Sequence, residues 1–324
     1  VTDPIIAAEN LTKHYMLTSA GFSSRTGVVH ALEKVSLAIM PGEVFGLVGE
    51  SGCGKSTLGR VLLRLEEPTS GKSIFEGEDL AGFGPERLKK FRRQAQIIYQ
   101  DPYSALNPRK RVGKTIEEAL EIHKIGTPAE RAQRVTELLS TVGLRPEHAK
   151  RYPHEFSGGQ RQRIVIARAL ALNPRLILAD EPVSALDVSI QAQVINLLEK
   201  LKADFGLTYL FISHDLSVVE HMADRVGVMY LGRMVELADK KDFYAEALHP
   251  YSQALLSAAP VPDPTKERSR IILTGDVPSP INPPPGCAFH PRCPRAMDIC
   301  REKRPELKEI QKGRRVSCHL HSNS

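Results

Sequence analysis

Residues 44–57 read Val-Phe-Gly-Leu-Val-Gly-Glu-Ser-Gly-Cys-Gly-Lys-Ser-Thr, and this stretch decides the fold. Val44–Val48 is a short apolar run of the kind that buried parallel strands use. It runs into Gly49, Glu50, Ser51, Gly52, Cys53, Gly54, Lys55, Ser56 and Thr57, which fit G-x-x-x-x-G-K-[ST]. From Lys55 onward Leu58, Val61, Leu62 and Leu65 recur at helical spacing. Strand, glycine loop and helix thus follow in the order that phosphate binding needs. Glycines let backbone N–H groups wrap an anion, and the helix N-terminus adds partial positive charge. Lys55 is placed to reach the β- and γ-phosphates and Ser56 to ligate Mg²⁺. A flexible glycine turn with a surface lysine would not require both flanks. Cys53 reads as a small loop residue without chemistry of its own.

Working outward, three more apolar runs read as buried strands: Leu176–Ala179, Tyr209–Ile212 and Val226–Tyr230. In open α/β sheets, ligands gather beyond the carboxyl ends of such strands. The first ends at Asp180–Glu181 and the second at Ser213–His214–Asp215. Residues leaving a strand point in alternate directions. Asp180 could therefore orient the hydration shell of Mg²⁺ while Glu181 faces the water that attacks a γ-phosphate. Between Val112 and Arg163 the pattern is mostly helical, with breaks at Gly126–Thr127–Pro128 and Gly143. Phe156-Ser157-Gly158-Gly159-Gln160 opens a helix carrying Arg161, Arg163 and Arg168. A serine followed by two glycines is either a simple N-cap or a second anion site. A second site makes sense if it closes over a nucleotide held by another subunit.

The whole chain has 324 residues, 25% charged and 41% hydrophobic, enough for one large domain or two. The longest apolar stretch, Ile164–Ala179, is broken by Arg168, Asn173, Pro174 and Arg175, so no membrane span is expected. The opening VTDPIIAAEN lacks a basic region followed by an apolar core, so no secretory signal is expected and the chain is placed facing the cytosol. Net charge is +6, and 12 Lys/Arg against 7 Asp/Glu fall in residues 261–324, leaving the rest nearly balanced. Trp is absent and aromatics are only 6%, which argues against a nucleic-acid surface built on stacking. The run Lys89-Lys90-Phe91-Arg92-Arg93 reads as a solvated helix face.

Ten of the 23 prolines lie between Pro260 and Pro294. Proline fixes φ and lacks a donor, so a boundary is expected near residue 260. Cys287, Cys293, Cys300 and Cys318 all follow it, spaced C-x5-C-x6-C-x17-C. Four thiolates can hold Zn²⁺ or a [4Fe–4S] cluster, or remain reduced and unliganded. This spacing alone does not choose among them. His290, His319 and His321 are substitute ligands nearby.

These segments, in this order, resemble the nucleotide-binding subunits of ABC transporters, over essentially the whole chain. The implied fold is an α/β P-loop NTPase of the ABC type over residues 1–260, with a helical subdomain at roughly 101–163. A small, irregular, cysteine-containing extension would follow over 261–324. Phe156 stands where the family's signature usually has Leu; Ser157, Gly158 and Gly159 match it. By resemblance Gln100 is the glutamine that senses Mg²⁺ and the attacking water, and His214 contacts the γ-phosphate. Ser184-Ala185-Leu186-Asp187 matches the loop that crosses the dimer interface. Tyr15 is placed like the aromatic that stacks on adenine, although Thr18–Val29 separates it from the next strand. The alternative for Tyr15 is an exposed or core-edge tyrosine.

The resemblance implies that ATP lies between one subunit's phosphate loop and another's Ser157, Gly158, Gly159, Gln160 and Asp187. Closure on ATP and reopening after hydrolysis would drive transport. The finer similarity is to ATPases of dipeptide and oligopeptide importers, in particular the second of their two ATPase subunits. It rests on Ile97–Pro108, IIYQDPYSALNP, on Tyr152–Arg163, YPHEFSGGQRQR, on His249-Pro250-Tyr251 and on the proline run before Gly286-Cys287-Ala288-Phe289. That branch implies a second homologous ATPase subunit, two transmembrane permease subunits and an external substrate-binding protein. It also implies a peripheral place on the cytoplasmic face of the inner membrane, no direct cargo contact and no nucleic acid. Relatives associated with nickel or glutathione uptake make those cargoes the alternatives. A non-transport ABC protein acting on DNA or ribosomes would carry two cassettes or large insertions. In a third reading the tail is a redox sensor. For the four cysteines the resemblance implies a [4Fe–4S] cluster, with Zn²⁺ as the alternative.

Overall fold

The computed structural model describes residues 3–17, 27–259 and 271–321. Strands are β1 (Ile6–Leu17), β2 (Gly27–Ile39), β3 (Val44–Val48), β4 (Ser70–Phe75), β5 (Glu78–Asp79), β6 (Ala95–Ile98), β7 (Leu176–Asp180), β8 (Thr208–Ile212), β9 (Arg225–Tyr230), β10 (Arg233–Asp239), β11 (Lys308–Gln311) and β12 (Arg314–Val316). Helices are α1 (Lys55–Leu62), α2 (Pro85–Gln94), α3 (Pro102–Ala105), α4 (Val112–Ile122), α5 (Pro128–Thr141), α6 (Gly158–Leu170), α7 (Val188–Phe205), α8 (Leu216–Met222), α9 (Lys240–Ala245), α10 (Pro250–Ala258) and α11 (Asp298–Glu302). Among the described residues no helix is long and apolar enough to cross a membrane.

The chain forms two compact units, one from residues 1–82 with 213–324 and one from residues 83–212. In the first unit β3 pairs in parallel with β9, aligning Leu47 with Gly227, and every residue of β3 is buried. Full burial of such a strand needs apolar side chains on both faces, each contributing about 1.5–3 kcal/mol when buried. β10 lies antiparallel to β9, and β12 antiparallel to β10. A separate antiparallel sheet has the order β2-β1-β4-β5. Tyr15 lies opposite Val29, on a β2 that begins at Gly27, so the next strand starts earlier than the sequence spacing indicated.

Within the largely irregular C-terminal extension, β11 and β12 form a short antiparallel pair. Arg314, which opens β12, is held both from β10 and from the end of α9. Its guanidinium donates to the Glu246 carbonyl and lies 3.8 Å from Glu236, which is fully buried. The boundary expected near residue 260 lies outside the described residues.

In the second unit β6, β7 and β8 are parallel neighbours. The expected breaks bracket α5. Thr127 and Glu130 cap it reciprocally, and Gly143 follows it at φ 75°, the left-handed turn that stops a helix. On α2, Lys89, Lys90, Arg92 and Arg93 are exposed while Phe91 is buried.

Candidate active site

The phosphate loop is built by glycines that nothing else could replace. Gly49 has φ 151°, and a Cβ there would lie 2.3 Å from the Met229 carbonyl oxygen. Gly54 has φ 104°, with the Ala31 oxygen 2.4 Å from where a Cβ would sit. A side chain at either position would push the loop off β9 or β2. Lys55 is only 5% exposed; its Nζ donates to the Gly49 carbonyl at 2.8 Å and the Glu50 carbonyl at 3.1 Å. The ammonium therefore lies inside the loop, where phosphate oxygens can replace those carbonyls. Ser51 and Gly52 are exposed at the loop tip, and Ser56 and Thr57 are half-buried in the first turn of α1. Cys53 is buried, and burial raises its thiol pKa; a protonated thiol is a poor nucleophile.

Tyr15 is half-buried, and its hydroxyl donates to Glu66. Burial, then Glu66, holds the phenol above its usual range, while Thr57 and Arg60 act against them. Lys13 Nζ lies 5.0 Å from the ring centre. His214 is exposed just beyond β8.

Two residues around this loop were not among the site candidates that the sequence offered. Tyr251 Oη accepts from the Glu50 N–H at 2.8 Å. Arg292 grips the Glu50 carboxylate with both terminal nitrogens, at 2.7 and 3.1 Å. The His-Pro-Tyr motif offered a signal for Tyr251, but only through resemblance.

The second unit holds the carboxylates. Asp180 ends β7 and is buried; Glu181 follows, half-buried. Glu181 has φ 48°, a left-handed conformation that costs a non-glycine residue of order 1 kcal/mol or more. Three hydrogen bonds hold it there. Its N–H donates to the Ile212 carbonyl at 3.0 Å, and its own carbonyl accepts from the Ser184 N–H at 3.3 Å and Oγ at 3.1 Å. Gln100, exposed beyond β6, donates from Nε2 to Glu181 Oε2 at 3.0 Å. The structure thus brings these two candidates together.

Ser157 caps α6: its Oγ accepts from Gln160 N–H at 3.4 Å, and Gln160 Oε1 accepts from Ser157 N–H at 3.1 Å. This reciprocal pair leaves Gly158 and Gly159 in the first turn. Gly159 packs so closely on α7 that an added Cβ would lie 2.4 Å from Ile190 Cγ2. Asp187 is exposed before α7. Arg161 and Arg168 serve structure: Arg161 donates to the Pro153 carbonyl at 2.7 Å and Arg168 to the Ala105 carbonyl at 2.5 Å.

The four C-terminal cysteines converge. Cys287 N–H donates to the Cys300 carbonyl at 2.8 Å. Burial pushes the Cys318 thiol up to about 11, and Cys287, Cys293 and Cys300 push it further in the same direction. Cys287 and Cys293 are raised in the same way, burial first. Each candidate histidine already engages a backbone carbonyl: His290 that of Cys287, His319 that of Lys303 and His321 that of Leu248. Among the described residues, the group of three or more His, Cys, Asp or Glu ligand atoms lying within 4.8 Å of one another is His14, His30 and Glu33, without a cysteine. The His14–His30–Glu33 cluster is itself satisfied: Glu33 accepts from both imidazoles, at 2.5 and 2.7 Å, and pairs with Arg233 at 3.0 Å.

Two family models match this chain. Residues 32–184 match the ABC transporter family, and residues 235–300 match the oligopeptide/dipeptide transporter C-terminal region. The oligopeptide transport ATP-binding protein AppF of Bacillus subtilis is 54% identical over 323 residues, covering 99% of this chain and 98% of that protein. A probable peptide ABC transporter ATP-binding protein, y4tS of Sinorhizobium fredii, is 53% identical over 320 residues, 99% of this chain and 91% of its own. Among solved structures, the dimeric ATP-binding cassette MJ0796 bound to ADP and Pi aligns with a TM-score of 0.63 at 31% identity, over 72% of this chain and 98% of its own.

Proposed function

The chain belongs to the ATP-binding subunits of oligopeptide and dipeptide ABC transporters, and from that premise we propose how its residues divide the work of hydrolysing ATP to energise peptide import. ATP and Mg²⁺ are the ligands of this family of ATPases. Lys55 takes the β- and γ-phosphates, with backbone N–H groups of Gly49–Thr57 around them and Tyr15 against the adenine. Ser56 and Gln100 bind Mg²⁺ and Asp180 orients its water shell. Glu181 is the general base toward the attacking water, and His214 reads the γ-phosphate. Ser157, Gly158, Gly159, Gln160 and Asp187 act on the nucleotide of a partner subunit.

The observation that carries this reading is Glu181, held in a left-handed backbone with the Gln100 amide on its carboxylate. Strain maintained by three surrounding hydrogen bonds is what an active-site residue uses to hold one orientation. Phosphoryl transfer asks mainly for such positioning and for charge neutralisation.

Membrane permease subunits and a substrate-binding protein complete the transporter. We infer a second homologous ATPase as the partner in the dimer, and a peripheral place on the cytoplasmic face of the inner membrane. Residues 261–324 form the extension in this reading, and residues 101–163 the helical subdomain. By resemblance to the importer branch the four thiols would hold a [4Fe–4S] cluster, with Zn²⁺ as the alternative, and the cluster would supply a structural crosslink to a proline-rich segment with little core. Peptide cargo is favoured over nickel or glutathione by the names of the relatives.

The test is reconstitution of the assembled transporter in vesicles. ATP turnover should rise when peptide-loaded binding protein is added, and Glu181→Gln should abolish both turnover and uptake. Turnover that ignores the binding protein would overturn the coupling.

A further inference from the structure

Glu50 is the one acidic residue in the phosphate loop, and the C-terminal extension reaches it. Arg292 lies in the turn His290–Arg292, immediately before Cys293. Its side chain is 8% exposed, against 28% for Glu50. The two N–H···O contacts form the parallel fork that guanidinium and carboxylate make best, and lysine cannot reproduce it.

The turn that presents Arg292 is anchored. Phe289 is buried, with its ring centre 5.2 Å from that of Tyr230 and 5.4 Å from that of Tyr251. Tyr251 in turn accepts from the Glu50 N–H, and Lys55 donates to the Glu50 carbonyl. Glu50 is thus held at its carboxylate, its N–H and its carbonyl by three separate elements. A carboxylate in a loop that receives a polyanion repels it unless a cation is fixed beside it.

We propose that Arg292 is a positioning residue of the phosphate loop, neutralising and orienting Glu50 so that the loop offers backbone donors rather than a free carboxylate to the nucleotide. This rests on the ATP-binding reading above. It makes the cysteine-bearing extension part of the nucleotide site's support, because displacing the Phe289–Cys293 turn would release Glu50.

The experiment measures MgATP affinity of the full chain by calorimetry, and KM and kcat in the assembled transporter. R292A should weaken MgATP binding and raise KM about tenfold, leaving kcat at saturating nucleotide within about twofold. R292K, keeping the charge but losing the fork, should fall between. The double variant E50Q/R292A should recover most of the affinity, since no free carboxylate remains to be neutralised; a merely structural arginine would show no such rescue. Unchanged affinity in R292A, or a double variant as weak as R292A, would overturn the proposal. If R292A does not fold, R292K and E50Q/R292K carry the same comparison. K55A separates the two readings: if it binds MgATP as wild type does, the ATP site itself is wrongly assigned, whatever Arg292 does.

Discussion

Gln100 donates from Nε2 to Glu181 Oε2 across 3.0 Å, joining the segment after β6 to the end of β7. An amide in that position fixes the carboxylate's rotamer. Replacing Glu181 by Gln keeps the shape and removes the base. Hydrolysis should fall at least about a hundredfold, with MgATP affinity within about threefold of wild type. ATP-dependent dimers should accumulate, read by light scattering with and without nucleotide. Turnover close to wild type would remove Glu181 from the chemistry.

Gly159 faces Ile190 with no room for a methyl, since an added Cβ would lie 2.4 Å from Cγ2. Gly159→Ala should therefore force α6 away from α7 and cost about 1–3 kcal/mol in denaturant unfolding. Ser157→Ala removes only the cap, at about 1 kcal/mol. If Ser157 also serves a partner's nucleotide, its loss should reduce turnover far more than a stability change of that size explains. Turnover of Ser157→Ala equal to wild type after correction for folded fraction would reduce Ser157 to a helix cap.

The parts legible in the sequence are those whose physics is local. β3 and β7 are uninterrupted apolar runs, fully buried, and the glycines of the loop fix its backbone by themselves. β1 and β2 were not legible, because their pairing slips at Ala8/Leu11, Leu11/Lys13 and Lys13/His14, which destroys the period of two. Asn10 and Lys34, at φ 49° and 52°, mark the irregularity. β12 reads Arg-Arg-Val and shows no apolar pattern; it is fixed by Arg314 finding Glu236. Arg292 and Glu50 lie 242 residues apart, a separation that no spacing rule covers.

Protein purified without oxygen should carry about four irons and four acid-labile sulfides per chain. Cys300→Ala should lower both and expose residues 271–321 to limited proteolysis. About one zinc instead would assign the four thiols to a tetrahedral zinc site. A metal-free chain with an equally protected extension would show that Phe289 and Arg292 hold the segment without a cluster.

His249 supplies a pH dependence whose sign follows from burial. It is 1% exposed, and burial, with His321 adding to it, pushes its pKa down to about 3. Its Nδ1 accepts from the Tyr251 N–H at 3.1 Å, which only a neutral imidazole can do. The charged groups around it are Glu236, which accepts from the Leu248 and His249 N–H groups, and Arg314, which lies 3.8 Å from Glu236. Between the folded value and the unfolded value of about 6.5, the unfolded chain binds a proton that the folded chain does not. Stability contributed by this site is therefore complete above about pH 6.5 and declines as pH falls, by up to about 1.4 kcal/mol per pH unit. The proton should first loosen α10, and with it the Tyr251 bond to Glu50. Urea unfolding at pH 7.5, 6.5 and 5.5 should show this slope, and His249→Gln, uncharged throughout, should flatten it by about one proton. The same slope in both proteins would assign the acid sensitivity to other groups.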